Sequence, residues 1–401
     1  MHYIRFCRPP EVTTSRSHQA TVKVVLTITT DLSDAFLSPP KPIQLAIIGA
    51  YTERKDDGST QIVPVHLTQG QGSGPPPTWR AGMRVLKLDL PLPAQLKQPI
   101  ETIQIRPLSR QLTAMATSDV LPGKQGLIMA VYADMPRPDS GRAPNVCFRS
   151  LRLTVGDVPV GQPLQIEEDL GESIARHVWD SGVVMVSLLS DICLGPEDGA
   201  EGVPPLQSFR SLLQSADRPL DILELGCGVG VMGIGLARVM ALRNKGYPPN
   251  ILLTDLPEAA EKARANIGRQ EDVLGNAAAS IDFEPLDWEE GRVGKFGEKA
   301  TSRTFDLITL CDCTYNTDTL PPLVATLSTL HSRSVERASP ASGQNGPDVL
   351  VATKQRHTSE RAFFDLMSND GWIIRERTTL PLPMLDGQGQ TVEVYLFRKG
   401  R

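Results

Sequence analysis

The segment that decides the fold is Ile222-Leu-Glu-Leu-Gly-Cys-Gly-Val-Gly-Val-Met-Gly233. Its apolar start has the length of a strand, its glycines are closely spaced, and a helical repeat of apolar residues follows over 231–243. Glycines suit such a turn because its backbone takes φ values that other residues resist, and because a ligand must approach it closely. The segment predicts a strand, a ligand-binding turn (residues 226–233, the glycine turn) and a helix.

Strands and helices alternate through the rest of the C-terminal half. Apolar runs of strand length occur at 221–225, 251–255, 280–285, 305–311 and 349–353, and helical periods at 231–243, 258–267, 319–331 and 359–368. This alternation predicts an α/β fold, a parallel Rossmann-like sheet with helices on both faces. Two further strand runs, 372–379 and 391–398, predict a terminal antiparallel hairpin.

The N-terminal part has a different pattern. Apolar residues alternate with polar ones over 22–29, which is the period of a half-buried strand. Similar runs occur at 44–51, 61–67, 83–90, 102–107, 126–133 and 147–155, with turn-rich segments at 70–77 and 136–144. We expect a β-rich, sandwich-like domain over residues 1–160, followed by the α/β domain over residues 161–401.

Charge divides the 401-residue chain in the same place. Residues 1–160 hold 18 Lys and Arg against 12 Asp and Glu, whereas the remainder carries a net charge of −11. An acidic α/β half disfavours a nucleic-acid partner. The sequence has no run of about 18 apolar residues, so we expect no membrane span. Its first residues do not form an apolar leader, so we expect no secretory signal. The six cysteines form no C-x-x-C pair, so we expect no metal site. Because neither a membrane span nor a secretory leader is predicted, we expect a cytoplasmic protein.

Two kinds of cofactor bind at a glycine-rich turn after a first strand. The letters from Gly228 to Gly233 match the dinucleotide pattern G-x-G-x-x-G, which alone is a weak signal. However, the turn already begins at Gly226, directly after Glu224 and Leu225, which is earlier than that pattern places it. The turn itself therefore leaves a dinucleotide and S-adenosylmethionine both open.

Asp255 ends the next strand, beside the first turn. A carboxylate at this position can accept hydrogen bonds from both hydroxyls of a ribose, which dinucleotides and S-adenosylmethionine share. Because Pro257 follows closely, Asp255 could instead be the N-cap of a helix. Both interpretations stay open from the residues alone.

Five motifs in order carry a resemblance to a known family. They are Val-Trp-Asp-Ser-Gly (178–182), Glu-Leu-Gly-x-Gly-x-Gly (224–230), Thr-Asp-Leu-Pro (254–257), Leu-Asp-Trp (286–288) and Phe-Asp-Leu-Ile-Thr-Leu-Cys-Asp-Cys-Thr-Tyr (305–315). Residues 165–401 thereby resemble the seven-β-strand protein-lysine methyltransferases of the methyltransferase-16 type, whose fold also ends in an antiparallel hairpin. The long N-terminal extension resembles that of the fungal elongation-factor-2 lysine methyltransferases.

The resemblance implies S-adenosyl-L-methionine as the cofactor. The glycines of the turn would hold its methionine part, with Glu224 fixing the turn, and Asp255 would bind its ribose. Trp288 would border the adenine, with Asp287 close by. The implied cofactor-binding residues are Trp179, Glu224, Gly226, Gly228, Gly230, Asp255, Asp287, Trp288 and Cys311.

Three of these assignments have structural alternatives or departures. Trp179 would line the cofactor pocket, but a tryptophan there could equally pack a helix onto the sheet. Trp288 could be an ordinary core residue. Cys311 stands where the family usually has Ala, Ser or Gly, which is a small departure.

Asp312 and Tyr315 are the candidate catalytic residues. They follow the fourth strand, at the edge where open α/β sheets bind their ligands. Asp312 could hold an incoming lysine ammonium, and Tyr315 could shape the methyl channel and stack on the cationic head. A lysine must react as the neutral amine, so positioning matters more than a strong base.

The sequence predicts a protein-lysine N-methyltransferase that acts on a cytosolic protein substrate, with a translation elongation factor as the leading expectation. The alternatives are methylation of another side chain such as histidine, or of a small amine; a silent cofactor-binding interaction module; and a nicotinamide oxidoreductase. The basic N-terminal half is expected to recognise the substrate. Its deletion should then spare cofactor binding.

Overall fold

The computed structural model describes residues 1–14, 19–68, 75–93, 96–121, 126–136, 143–171, 174–195, 206–214, 216–243, 247–274, 280–337, 346–385 and 389–400. The expected turn segments 70–77 and 136–144 lie partly outside these residues.

Fifteen strands precede the α/β sheet within the described residues. They are β1 (His2–Phe6), β2 (Glu11–Thr14), β3 (Ala20–Thr29), β4 (Ile43–Arg54), β5 (Thr60–His66), β6 (Thr78–Trp79), β7 (Leu86–Pro91), β8 (Thr102–Pro107), β9 (Thr113–Ala114), β10 (Ile128–Met129), β11 (Val131–Asp134), β12 (Val146–Leu151), β13 (Thr154–Val155), β14 (Val158–Pro159) and β15 (Leu164–Asp169).

These strands form two packed sheets and a short ribbon. One sheet has the order β2-β3-β1-β10-β9, with β7 beside β3; the other has the order β15-β12-β11-β8-β4-β5, with β6 beside β4. Apolar side chains from both sheets, such as Val24 and Ile103, share one buried cluster, as alternating strands of a sandwich do. β13 and β14 pair only with each other.

The C-terminal sheet has seven strands in the part of the chain described. They are β16 (Asp221–Leu225), β17 (Asn250–Asp255), β18 (Ser280–Pro285), β19 (Leu307–Cys311), β20 (Asp348–Thr353), β21 (Trp372–Pro381) and β22 (Thr391–Lys399). The order is β18-β17-β16-β19-β20-β22-β21, parallel except for β22, which runs antiparallel to β20 and β21. β16 and β19 lie side by side, and the strand order reverses between them.

Helices cover this sheet and connect it to the sandwich. The described α-helices are α1 (Thr117–Val120), α2 (Asp180–Leu194), α3 (Gln207–Gln214), α4 (Val231–Leu242), α5 (Ala260–Leu274), α6 (Trp288–Gly291), α7 (Glu298–Ser302), α8 (Leu320–Arg337) and α9 (Ala362–Asn369). Central strands such as β16 and β20 are buried along nearly their whole length because helices cover both of their faces.

α2 lies at the junction of the two parts of the molecule. Thirteen of its 15 residues are buried, and its apolar residues belong to one cluster with Tyr3, Leu127 and Leu151 from the sandwich and Ile222 from the α/β sheet. The stretch 174–194 is long and apolar enough to cross a membrane, but most of it is buried inside the protein. Its apolar composition is therefore explained by its place in the core.

The expected fold class is confirmed: a seven-stranded Rossmann-like sheet with a terminal antiparallel hairpin follows a β-rich sandwich. Among the described strands of the sandwich, the sequence patterns missed those that are short or partly polar, namely β1, β2, β6, β9, β14 and β15. β15 pairs with β12 in the sandwich sheet, so that sheet continues past residue 160. The division into domains at residue 160 stays a prediction.

Candidate active site

A cavity of about 370 Å³ opens at the carboxyl ends of β16 and β19. This is the point where the strand order reverses, which is where open α/β sheets bind ligands. The cavity has a glycine-turn side, lined by Gly226, Gly228, Asp255, Asp287 and Trp288, and a Tyr315 side, lined by Leu32, Trp179, Tyr315 and Arg356. Glu224, Cys311 and Asp312 also line it. Of the residues predicted from sequence, only Gly230 does not.

The glycine turn has the backbone that its composition predicts. Gly226, Gly228 and Gly230 have φ values of 66°, 54° and 84°, in the left-handed region that favours glycine. A Cβ on Gly226 would lie 2.5 Å from the Cys313 Sγ and 3.3 Å from the Trp288 ring. The turn is thus a bare backbone surface inside the cavity wall. Gly230 serves instead as the N-cap residue of α4.

Glu224 fixes the glycine turn from below. Its side chain is buried, and its Oε2 accepts a hydrogen bond from the Gly233 amide at 2.8 Å. Burial raises the pKa of Glu224 to about 8, with a further contribution from Asp255, while the Gly233 bond opposes the shift. Glu224 is therefore protonated in the folded protein at neutral pH.

We predict that the Glu224→Gln variant loses part of the pH dependence of stability. Between pH 4.5 and 8 the folded protein holds a proton that the unfolded chain has released, so wild-type stability falls as pH rises through this window. Glutamine keeps the acceptor for Gly233 without titrating. Urea unfolding at pH 5, 6.5 and 8 should show the free energy of unfolding of the variant rising relative to wild type by about 3–4 kcal/mol over this range. A difference that does not change with pH would contradict this.

Asp255 is held by two backbone donors. Its Oδ2 accepts from the Gly228 amide and its Oδ1 from the Leu256 amide, both at 2.7 Å. Burial raises the pKa of the Asp255 carboxyl, although both bonds oppose this. The N-cap of the following 3-10 helix is Leu256, so Asp255 does not have the capping role that the sequence left open. Each oxygen keeps a lone pair for a hydroxyl in the cavity.

Trp288 and Asp287 border the glycine turn from the end of β18. The half-buried Trp288 ring lies against Gly226 and also packs on the core beneath α8, so it combines the two roles that the sequence left open. Asp287 is the N-cap of α6, and its Oδ1 accepts from the Glu289 amide at 2.9 Å. That bond fixes the entry to α6 and thereby the Trp288 ring.

Trp179, on the Tyr315 side, and Cys311 also line the cavity. Trp179 is the N-cap residue of α2, and its indole nitrogen donates to the Ile174 carbonyl at 3.2 Å. The Arg356 guanidinium lies over its ring, 5.2 Å from the centroid. Cys311 ends β19 beside Met232, and burial raises the pKa of its thiol, which keeps it protonated.

Asp312 is fully engaged within the protein. It has a φ of 54°, which is unusual for a residue with a side chain. Its Oδ1 accepts from the Lys354 amide at 3.0 Å and from Arg356 at 3.0 Å, and its Oδ2 accepts from the Ser181 amide at 3.2 Å. Tyr315, by contrast, is 51% exposed and faces the cavity.

A buried charge cluster behind the Tyr315 side was missed by the sequence analysis. It consists of Asp31, Asp180, Asp312, Lys354 and Arg356. Burial alone would lower the pKa of Lys354, but Asp180 and Asp31 raise it above its ordinary value, so the lysine stays charged. Lys354 and Arg356 directly follow β20, so the rule that ligands bind at carboxyl ends of strands could have found them. Nothing in the sequence pointed to Asp31.

The cavity is predominantly acidic. Among the described residues, six carboxyl groups line it, of which Glu224 is protonated and Asp312 is paired with Arg356. Those that remain are Asp255, Glu258, Asp287 and Glu289. A concave site lined by one sign of charge concentrates ligands of the opposite sign. Across the described residues, no group of three or more His, Cys, Asp or Glu is arranged to hold a metal ion.

The fold and the site are those of an S-adenosylmethionine-dependent methyltransferase of the seven-strand type. The sequence model of the lysine methyltransferase family matches residues 160–370, more than half of the chain. The chain belongs to this family.

Two curated relatives extend the comparison. A UPF0665 family protein of Schizosaccharomyces pombe is 24% identical over 375 residues, 93% of this chain and 94% of that protein. Protein-lysine N-methyltransferase EFM2 of Saccharomyces cerevisiae is 24% identical over 173 residues, 43% of this chain and 36% of that protein.

Similar solved structures include methyltransferases described as S-adenosylmethionine-dependent. One from Agrobacterium tumefaciens has a TM-score of 0.33 and 16% identity, covering 59% of this chain and 68% of that one. Another, from Methanosarcina mazei, has a TM-score of 0.32 and 13% identity, covering 46% of this chain and 94% of that one.

The residues present fit the cofactor of this family. The Gly226 cradle, which a Cβ would fill, suits close approach of its methionine part, and Asp255 offers acceptors for a ribose. Trp288 offers an aromatic face at the same side. When bound, S-adenosylmethionine supplies a sulfonium methyl group for transfer. The acidic lining favours this cation as well as a cationic acceptor.

Proposed function

We propose that the protein is a protein-lysine N-methyltransferase that modifies a cytosolic protein, with a translation elongation factor as the first substrate to test. The observation that carries the proposal is the acidic cavity, which extends from the glycine turn to the exposed Tyr315. Membership of the lysine methyltransferase family and the similarity to EFM2 support it.

The Tyr315 side suits a lysine side chain. The exposed Tyr315 ring can border the aliphatic stem and the cationic head of a lysine. The unpaired carboxylates of the same cavity, such as Glu258, attract the ammonium, which must then release its proton before it can react. Because Asp312 is already bonded to Arg356 and two amides, it acts in this proposal by shaping the site. Solvent at the open cavity takes the proton.

The test is methyl labelling with the full-length protein. The purified chain is incubated with methyl-labelled S-adenosylmethionine and an extract of cells that lack the gene, and labelled peptides are identified by mass spectrometry. Methyllysine in one cytosolic protein is the expected result. Label on histidine or on a small amine would contradict the proposal and identify that acceptor class instead. Cofactor binding without any labelling would indicate a catalytically silent interaction module.

The pH profile distinguishes the acceptor groups. A lysine with a pKa near 10.4 presents more neutral amine as pH rises, so single-turnover labelling should increase about tenfold per unit between pH 7 and 9. A histidine acceptor, with a pKa near 6.5, would give a rate that levels off over the same interval.

Asp255→Ala should weaken cofactor binding about ten- to a hundredfold, because hydrogen bonds to a charged acceptor contribute about 1.5–3 kcal/mol. Isothermal titration calorimetry with S-adenosylmethionine measures this. Glu261→Ala is the matched control, since its side chain is 78% exposed and lies outside the cavity lining. Equal affinities of the two variants for S-adenosylmethionine would show that Asp255 does not contribute to cofactor binding.

A further inference from the structure

The turn at residues 30–36 of the sandwich reaches the active site. It follows β3 and is closed by backbone bonds from the Thr30 amide to the Ala35 carbonyl and from the Ser33 amide to the Thr30 carbonyl, both 3.1 Å. Arg5 donates to the Asp31 carbonyl at 3.0 Å. These bonds fix the conformation of the turn, so the side chains that it presents have defined positions.

Asp31 anchors this turn to the α/β sheet. Its side chain is fully buried, its Oδ1 accepts from Lys354 and its Oδ2 from Arg356, both at 2.8 Å. Arg356 also bonds Asp312 and covers the Trp179 ring. A carboxylate from the sandwich therefore acts together with Asp312 in fixing where the guanidinium at the Tyr315 side lies.

Leu32 follows Asp31 in the turn, and its amide donates to the Asp31 Oδ1 at 3.1 Å. It is 42% exposed although it lines the cavity, and it shares that side with Tyr315, which is 51% exposed. Because Leu32 and Tyr315 both line the concave site, a ligand that enters it can cover them. The acidic lining next to them selects for a positive charge on that ligand.

We propose that the 30–36 turn is a wall of the methyl-acceptor site, with Leu32 contacting the substrate and Asp31 positioning Arg356. This inference rests on the proposed function. The occupant it specifies is a segment of a protein substrate in which an apolar side chain lies beside the target lysine. Specificity then depends on a residue outside the methyltransferase sheet.

The experiment compares Leu32→Ala, Leu32→Glu and Asp31→Asn with wild type. Labelling is followed over a dilution series of extract from cells that lack the gene, and S-adenosylmethionine affinity is measured by calorimetry. Leu32→Ala should raise the half-saturating extract concentration about tenfold, as loss of an apolar anchor does, with an unchanged maximal rate. Leu32→Glu should label nothing detectable. Both should bind the cofactor within about twofold of wild type.

Asp31→Asn should lower the maximal rate without changing cofactor affinity, because Arg356 loses its charged partner in the sandwich and keeps only Asp312. Thermal unfolding establishes that the variant is folded, and the two Leu32 variants test the wall independently of it. The matched control is Ile62→Ala on β5, which removes an equally apolar side chain that is 72% exposed and outside the cavity lining.

The outcomes separate this inference from the proposed function. If wild type forms no methyllysine, the proposed function fails. If wild type forms methyllysine and both Leu32 variants label like Ile62→Ala, the 30–36 turn is not a wall of the methyl-acceptor site, although the proposed function stands. Loss of cofactor affinity in Leu32→Glu would also overturn the inference, since the turn would then serve the cofactor.

Discussion

Gly226→Ala should abolish methyl transfer and weaken S-adenosylmethionine binding by more than about a hundredfold. Two costs combine at this position. A residue with a side chain at a φ of 66° is strained by about 1–2 kcal/mol. Its Cβ would also meet the Cys313 Sγ at 2.5 Å, and that sulfur is held by the Leu225 and Cys311 carbonyls. Either the turn or Cys313 must move, and both border the cavity.

Calorimetry with S-adenosylmethionine measures the loss, and two glycine variants separate its causes. Gly58→Ala has a similar φ of 81° but no atom within 4 Å of its Cβ, so it carries the strain alone. Gly268→Ala lies in α5 with open space around it and should stabilise the helix by about 1 kcal/mol. Both should bind the cofactor normally. If Gly226→Ala does so too, the glycine turn does not contact the cofactor.

The α/β sheet was predictable because its signals are local. Apolar strand runs and helical periods identified β16 to β20 and the hairpin of β21 and β22. β1 escaped prediction because it is buried on both faces and shows no clear alternation. The helix at 180–194 gives no amphipathic pattern for the same reason, since it is enclosed between the sandwich and the sheet.

The glycine-turn side of the site could be assigned from sequence, since its residues lie at ends of consecutive strands. The function of Asp312 could not. Asp312 directly follows β19, but its partners Ser181, Lys354 and Arg356 come from distant segments of the chain. Only the fold shows that this charge is already compensated. Asp31 is still more remote, 323 residues from Lys354.

We expect residues 161–401 not to fold without residues 1–160, which reverses the expectation drawn from charge alone. The reason is the shared core: Tyr3, Leu127 and Leu151 pack in one buried cluster with α2 and α4. The deletion would also remove β12, the pairing partner of β15. Apolar surface and unpaired strand backbone would be exposed together, and both favour aggregation.

Buried charges make the loss larger than apolar exposure alone. Glu168 on β15 is fully buried against Arg149 and Arg5, and the deletion removes both arginines. Lys354 loses Asp31 but keeps Asp180. Leaving Glu168 without its arginines costs about 3–5 kcal/mol, which is a large part of the whole stability of a typical domain, about 5–15 kcal/mol.

The measurement compares the 161–401 fragment with the full chain by soluble yield, thermal unfolding and S-adenosylmethionine calorimetry. The full chain should unfold in a cooperative transition, and the fragment should show neither a transition nor cofactor binding. Co-expression with residues 1–160 is the control, because separate synthesis of the sandwich should restore solubility if the interface is what the fragment lacks. A soluble fragment with wild-type cofactor affinity would instead mean that the sandwich is an independent domain, free to act in substrate recognition alone.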